Sequence, residues 1–154
     1  MKIYTFKTQQ KLPISSDVAW DFFSNPLKLI DITPPWLNFR VTSDLPERMY
    51  TGVIITYQIR PFGNIPVNWV TEITHVQEPF VFVDEQRFGP YRFWHHQHQF
   101  KEISGGVEMT DLVHYALPFG AFGRTLQRLS VAKRLQEIFA FRQAWLEKSF
   151  GPML

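Results

Sequence analysis

The feature that most limits what this chain can become is a change of period. From Gly52 to about Leu117 apolar residues alternate with polar ones, and beyond Pro118 they recur every three or four positions. Alternation places one set of side chains on one face of a strand, while the three-to-four step lines one face of a helix. Gly52 to Arg60 sets Val53, Ile55, Tyr57 and Ile59 against Thr56, Gln58 and Arg60. Val67 to His75 sets Trp69, Thr71 and Ile73 against Asn68, Glu72 and Thr74. Phe80 to Gln86, a strand ending near Ile103, and Val107 to Leu117 continue the series. The breaks between them are Pro61-Phe62-Gly63-Asn64, Glu78-Pro79, Phe88-Gly89-Pro90 and Ser104-Gly105-Gly106, residues suited to turns and hairpins. Leu126, Leu129, Ala132, Leu135, Phe139, Arg142, Trp145 and Leu146 then predict one long amphipathic helix from about Phe122 to Ser149. Gly120 and Gly123 near its start permit a close approach or a flexible entry.

Ahead of the alternating region, Lys2 to Pro13 reads as a first strand. Ser15-Ser16-Asp17 offers capping oxygens and a carboxylate for the positive end of a short helix carrying Val18, Ala19, Phe22 and Phe23, closed by Asn25-Pro26. A second short helix is expected from Leu27 to Ile32, stopped by Thr33-Pro34-Pro35, and a strand from Trp36 to Thr42. The order is β-α-α-β-β-β-β-β-β-α. The expected class is α+β: a curved, seven-stranded antiparallel sheet whose apolar face is covered by the C-terminal helix, with two short helices at one end. At 154 residues this is one domain, residues 1–154. A helix laid over a strongly bent sheet leaves room between the layers, and that room is the candidate cavity.

The chemistry concentrates in Trp94-His95-His96-Gln97-His98-Gln99-Phe100, where three of the five histidines lie. On a strand, Trp94, His96, His98 and Phe100 share one face, and His95, Gln97, Gln99 and Lys101 the other. The first set is aromatic, so it is expected to be buried, and buried imidazoles need polar partners. Pairing Phe100 with Met109 keeps Glu108, Thr110 and His114 on the wet face. It sets His98 opposite Asp111, His96 opposite Val113 and Trp94 opposite Tyr115. Asp84 has the parity of Phe80 and Phe82 and can reach His96 from the preceding strand. A metal reading requires His96, His98 and a carboxylate to converge. No second histidine pair or familiar ligand spacing supports it, so no metal and no cofactor are expected.

Composition excludes several classes. The absence of cysteine removes disulfides, thiolate metal sites and cysteine nucleophiles. A net charge of +2 is too mild to call for nucleic acid. There is no apolar run of signal-peptide length at the N-terminus and none of about 18 residues anywhere, so no membrane span is expected and the expected location is cytoplasmic. At 45% hydrophobic and 19% charged residues the chain is expected to fold, and 16% aromatics suits a ring-lined cavity. The sequence does not specify an oligomeric state.

Several segments together resemble the helix-grip fold of the START / Bet v 1-like superfamily, and within it small bacterial single-domain proteins described as ligand-binding or polyketide-cyclase-like. They are Val18-x-Trp20-x-Phe22-Phe23-x-x-Pro26, Ile32-Thr33-Pro34-Pro35-Trp36, Gly52-x-x-Ile55-x-Tyr57, Ile65-Pro66-x-x-Trp69-x-Thr71-x-Ile73 and Phe82-x-Asp84-x-Gln86-x-x-Gly89-Pro90. Trp94-x-His96-x-His98-x-Phe100, Asp111-x-Val113-x-Tyr115-x-x-Pro118-Phe119-Gly120 and Ile138-Phe139-x-x-Arg142 complete the set. The resemblance implies a deep apolar cavity between sheet and long helix. It carries over no catalytic residue, because the superfamily has no universal one, and fold does not fix activity.

Three functions are compatible with the sequence. The first is binding of a small hydrophobic or amphipathic, ring-containing molecule, with Trp94, His96, His98, Phe100, Asp111, Tyr115, Tyr57, Trp69, Asp84 and Phe139 as candidate contacts. The second is a cyclase or dehydratase using His96, His98, Asp111 and Tyr115 as acid–base groups. The third is a lipid or quinone chaperone that touches a membrane transiently through the basic face of the last helix.

Overall fold

The computed structural model describes residues 1–61, 63–118, 120, 122, 125 and 130–153. Its elements are β1 (Tyr4–Leu12), α1 (Ser16–Phe23), two 3₁₀ turns (Pro26–Leu29 and Pro35–Leu37), β2 (Arg40–Val41), β3 (Ile54–Ile59), β4 (Val67–Gln77), β5 (Val81–Phe88), β6 (Phe93–Ile103), β7 (Gly106–Ala116) and α2 (Ala132–Phe150). The strands form one seven-stranded antiparallel sheet in the order β1-β7-β6-β5-β4-β3-β2. The first strand thus closes the edge beside the last one. This is the expected α+β helix-grip architecture. Among the described residues no helix is long and apolar enough to cross a membrane.

Local chemistry explains most element ends. Ser15 Oγ accepts the Val18 N–H at 3.3 Å and Asp17 stands in the first turn of α1, which buries Ala19, Trp20 and Phe23. A side-chain cap of this kind is worth about 1 kcal/mol. The β6–β7 hairpin needs both of its glycines. Gly105 lies in the left-handed region at φ +80°, and a Cβ on Gly106 would fall 2.1 Å from the Leu12 carbonyl oxygen, where β1 ends against β7.

Two sequence expectations are corrected around the prolines. Leu27 to Ile32 does not form an α-helix. Pro26–Leu29 is a single 3₁₀ turn whose free Leu27 N–H is taken by Asn25 Oδ1 at 3.0 Å. Trp36 to Thr42 is not a full strand. Pro35 opens the second 3₁₀ turn, Asn38 turns left-handed at φ 46°, and only Arg40–Val41 pairs with β3. Proline fixes φ and lacks the N–H a ladder needs, so the aromatic alternation nearby could not extend the strand. Of the long helix, the described α2 is the part after Val131. Gly123, Arg124, Leu126, Arg128 and Leu129, which the spacing also assigned to it, lie outside the described residues, as do Phe62 and Phe119.

The inner face of the sheet packs differently along its length. Under α1 and the end of α2, Trp20 meets Phe82 and Phe100 edge-on at 5.7 and 5.9 Å, with Leu12, Val107, Met109 and Leu146 closing the cluster. Toward the other end, Trp94, Val113 and Tyr115 pack against Val131, Leu135 and Phe139. Val53, Ile55, Tyr57 and Ile73 make a third group on β3 and β4. The stripe of α2 that faces the sheet is Leu135, Phe139, Arg142 and Leu146. An arginine within that stripe is the exception, and a buried cation requires an anionic partner.

Candidate functional site

The β6–β7 register pairs Phe100 with Met109, His98 with Asp111, His96 with Val113 and Trp94 with Tyr115, the register that the polar positions favour. On the other side of β6, Asp84 of β5 stands opposite His96. Trp94, His96, His98 and Phe100 are buried and alternate with half-buried Phe93, His95, Gln97 and Gln99. The strand pattern alone therefore delivers two imidazoles to the inner face and brings a carboxylate to them from each neighbouring strand.

These four side chains form a closed network. The His96 and His98 rings lie 3.7 Å apart, centroid to centroid. Asp111 Oδ1 accepts His96 Nε2–H at 2.8 Å and lies 3.2 Å from His98 Nδ1. Asp84 Oδ2 accepts His98 Nε2–H at 2.7 Å and lies 3.4 Å from His96 Nδ1. The Trp94 indole N–H donates to the other Asp84 oxygen at 3.3 Å. From α2, an Arg142 guanidinium nitrogen reaches Asp111 Oδ1 at 3.3 Å. Arg142 Nε is buried without a hydrogen-bond partner among the described residues.

The electrostatics follow from this geometry. Burial alone would raise the Asp111 carboxyl, but the Arg142 charge and the bonds from His96 and His98 hold it well below the usual carboxylate range. Burial opposes ionisation of Asp84 too, and is outweighed by the charge of His96, the bond and charge of His98, and the Trp94 indole. His96 is pushed down by burial and by the charge of His98, more than its two carboxylates raise it. His98 also suffers burial, yet its bonds to Asp111 and Asp84 carry it above the ordinary value. The first proton taken up by the pair therefore goes to His98. Two carboxylates, the Arg142 guanidinium and one imidazolium then sum to zero, the charge a buried cluster tolerates best.

Asp84, His96, His98 and Arg142 line one wall of a cavity of about 210 Å³ between the sheet and α2. The remaining wall is largely apolar and includes Phe39, Ile55, Tyr57, Trp69, Phe82, Trp94, Leu135 and Phe139. Of the sequence candidates, Trp94, His96, His98, Tyr57, Trp69, Asp84 and Phe139 reach this space. Phe100, Asp111 and Tyr115 lie outside the lining. Phe100 is on the right face of β6 but at the end covered by α1, where its ring packs on Trp20 and Phe23. Asp111 stands behind the histidines. Tyr115 is packed against Tyr4 and Tyr91 at 5.6 and 5.8 Å. Gln86, of the same parity as Asp84, folds back to bond the Tyr91 backbone and does not join the network. Tyr57 and Tyr91 lose water at the lining, which raises both phenols above their ordinary value. The residue that sequence reasoning left out of the site is Arg142. Its place in the stripe Leu135, Phe139, Leu146 was a usable signal, since an arginine there needs an inward-facing carboxylate and Asp111 supplies one.

No protein-family model matches the chain, and no curated protein matches its sequence. Solved structures do match in shape. Protein Ms6760 from Mycobacterium smegmatis superposes with a TM-score of 0.66 at 16% identity, covering 97% of this chain and 98% of its own. Ginseng major latex-like protein 151 from Panax ginseng gives 0.70 at 13% identity, over 97% and 99%. Ara h 8.0201 gives 0.64 at 12% identity, over 96% and 99%. At such identities the likeness speaks for the fold: the chain has the helix-grip fold of the Bet v 1-like proteins, which the sequence resemblance implied.

Proposed function

We propose that residues 1–154 act as one unit that binds a small hydrophobic or amphipathic, ring-containing molecule between the sheet and α2. The observation that carries this reading is the cavity itself, with a wall of aromatic and aliphatic side chains interrupted by the Asp84–His96–His98–Arg142 group. A fold that needed only stability would fill that space, because each empty methyl-sized gap weakens packing. Size narrows the ligand. An apolar cavity of about 150 Å³ takes benzene, so 210 Å³ suits one or two rings. The Arg142 Nε–H, which has no partner among the described residues, and the imidazoles favour a ligand with a carbonyl, hydroxyl or carboxylate at one end.

A second reading, acid–base catalysis of a cyclase or dehydratase type, is favoured by one observation: His98 and Asp84 are 2.7 Å apart and both border the cavity. A bound carbonyl would meet a donor and an acceptor together. The membrane-chaperone reading has less support. On α2, Lys133 and Arg134 are engaged by Glu137, and Arg134 lies over the Trp36 ring at 4.7 Å.

The test uses anilinonaphthalene sulfonate as a fluorescent two-ring probe. We expect saturable binding to the wild-type protein, and loss of it in Leu135→Trp, whose larger side chain occupies the cavity. Equal affinity in both proteins would place the probe on the surface and overturn the reading. Turnover of a molecule recovered from the native protein by mass spectrometry would separate the catalytic reading from simple binding.

A further inference from the structure

One donor atom each from Asp84, His96 and His98 lie within 4.8 Å of one another at the polar wall of the cavity. We propose that these three side chains form a binding site for a divalent first-row transition-metal ion, with its open coordination positions turned into the cavity. The nitrogens nearest the Asp84 carboxylate are His96 Nδ1 at 3.4 Å and His98 Nε2 at 2.7 Å. Two ligand atoms bound tetrahedrally to zinc at about 2.0–2.1 Å are roughly 3.3 Å apart. The His96 contact already has that spacing, and the His98 contact has to open by roughly half an ångström, within reach of a small side-chain rotation.

The rest of the network serves this site. A metal-bound histidine ordinarily gives its other ring N–H to a carboxylate, which fixes the tautomer and aims the lone pair. Here both histidines turn their other nitrogen toward the same atom: His96 Nε2 is hydrogen-bonded to Asp111 Oδ1 at 2.8 Å and His98 Nδ1 lies 3.2 Å from it. An incoming ion would displace the proton between His98 Nε2 and Asp84, so that Nδ1 of His96 and Nε2 of His98, the two nitrogens beside Asp84, present their lone pairs to it. Asp111 is in turn held by Arg142 at 3.3 Å. The division is spatial as well. Asp84, His96 and His98 border the cavity while Asp111 does not, so an ion would have its orienting carboxylate behind it and the hollow in front. Two imidazoles and one carboxylate select zinc, iron, cobalt or nickel over magnesium or calcium, which prefer oxygen alone. A carbonyl or hydroxyl of an organic ligand would complete the coordination, but the site is independent of which molecule fills the cavity.

The experiment uses the full chain, stripped by chelator, and the metal alone. Cobalt(II) is titrated with visible spectroscopy and zinc(II) by calorimetry, on the wild type and on Asp84→Asn, His98→Gln and His95→Gln. His95 lies on the other face of β6 and serves as the control. We expect one ion per wild-type chain, a visible cobalt band that zinc removes, and about tenfold or greater weakening in Asp84→Asn and His98→Gln, with His95→Gln unchanged. Absence of saturable binding in the wild type overturns the proposal whatever the variants do. So does binding that survives Asp84→Asn and vanishes in His95→Gln. Because no organic ligand is present, neither result bears on whether the cavity takes a ring.

Discussion

His95 and His98 each hold a carboxylate of β5 at 2.7 Å, His95 with Glu85 on the outer face of the sheet and His98 with Asp84 on the inner one. Each pair joins a β6 imidazole to a β5 carboxylate at the same distance, glutamate outside and aspartate inside, and the two differ in parity along the strand. Outside, about a quarter of each side chain is exposed, at 27% and 26%, and water and salt screen the pair. Inside, His98 is 8% exposed and Asp84 17%, and neither can fall back on water if its partner is lost. The outer pair is an ordinary surface contact. The inner pair is one edge of a network in which every member depends on the others, built beside a hollow. Burial, and not the identity of the pair, separates a candidate site from decoration.

The sharpest test of that contrast is Asp111→Ala. It leaves the Arg142 guanidinium buried without an anion, and urea denaturation should show a loss of about 3–5 kcal/mol. The double change Asp111→Leu with Arg142→Met should recover the part due to the stranded cation, since apolar residues of similar volume can replace a buried ion pair, while His96 Nε2 still lacks its acceptor. A double variant as unstable as the single one would contradict that account. His98→Ala comes next. It strands one oxygen of Asp84, and a loss of about 1–3 kcal/mol is expected beyond the packing term. His95→Ala, its outer counterpart, should lose no more than about 1 kcal/mol. Equal losses in the two histidine variants would erase the distinction between the faces.

Alkaline pH probes the same wall through Tyr57 and Tyr91, whose phenols are raised by burial. For a group with a raised folded-state value, the stability it contributes is present below the unfolded value, about pH 10, and is lost as pH climbs toward the folded one. Each phenol should make stability fall by about 1.4 kcal/mol per pH unit above that point. Tyrosinate absorbance from these two residues should rise only together with loss of the near-ultraviolet circular dichroism. Ionisation of both in the intact fold would show that the lining is wetter than described. The smallest effect is expected for Glu85→Gln, within about 1 kcal/mol and shrinking further in high salt.

Much of this was legible in the sequence because alternation carries a physical constraint. Glu108, Thr110 and His114 cannot all be buried, and keeping them outside set the register that joins His98 to Asp111. The same parity sent Asp84 inward. Alternation assigns a face but not a position along it. Parity alone therefore makes Phe100 and Tyr115 candidates for the lining, although Phe100 belongs to the solid end under α1 and Tyr115 to the packing around Tyr4 and Tyr91. Near Pro34-Pro35 backbone restriction overrode an aromatic-rich pattern and left a two-residue β2. In the sequence Arg142 is one more step in a helical stripe, because a helix period reports where a residue points and not what it must meet there.

The most direct measurement is a crystal structure of the protein soaked with 2-naphthol, a two-ring molecule carrying one hydroxyl. The rings should lie between Trp69, Trp94 and Phe139, with the hydroxyl within hydrogen-bonding distance of Asp84, His98 or Arg142. Side chains closing that space completely, with the naphthol only at the surface and the two imidazoles turned toward solvent, would contradict it.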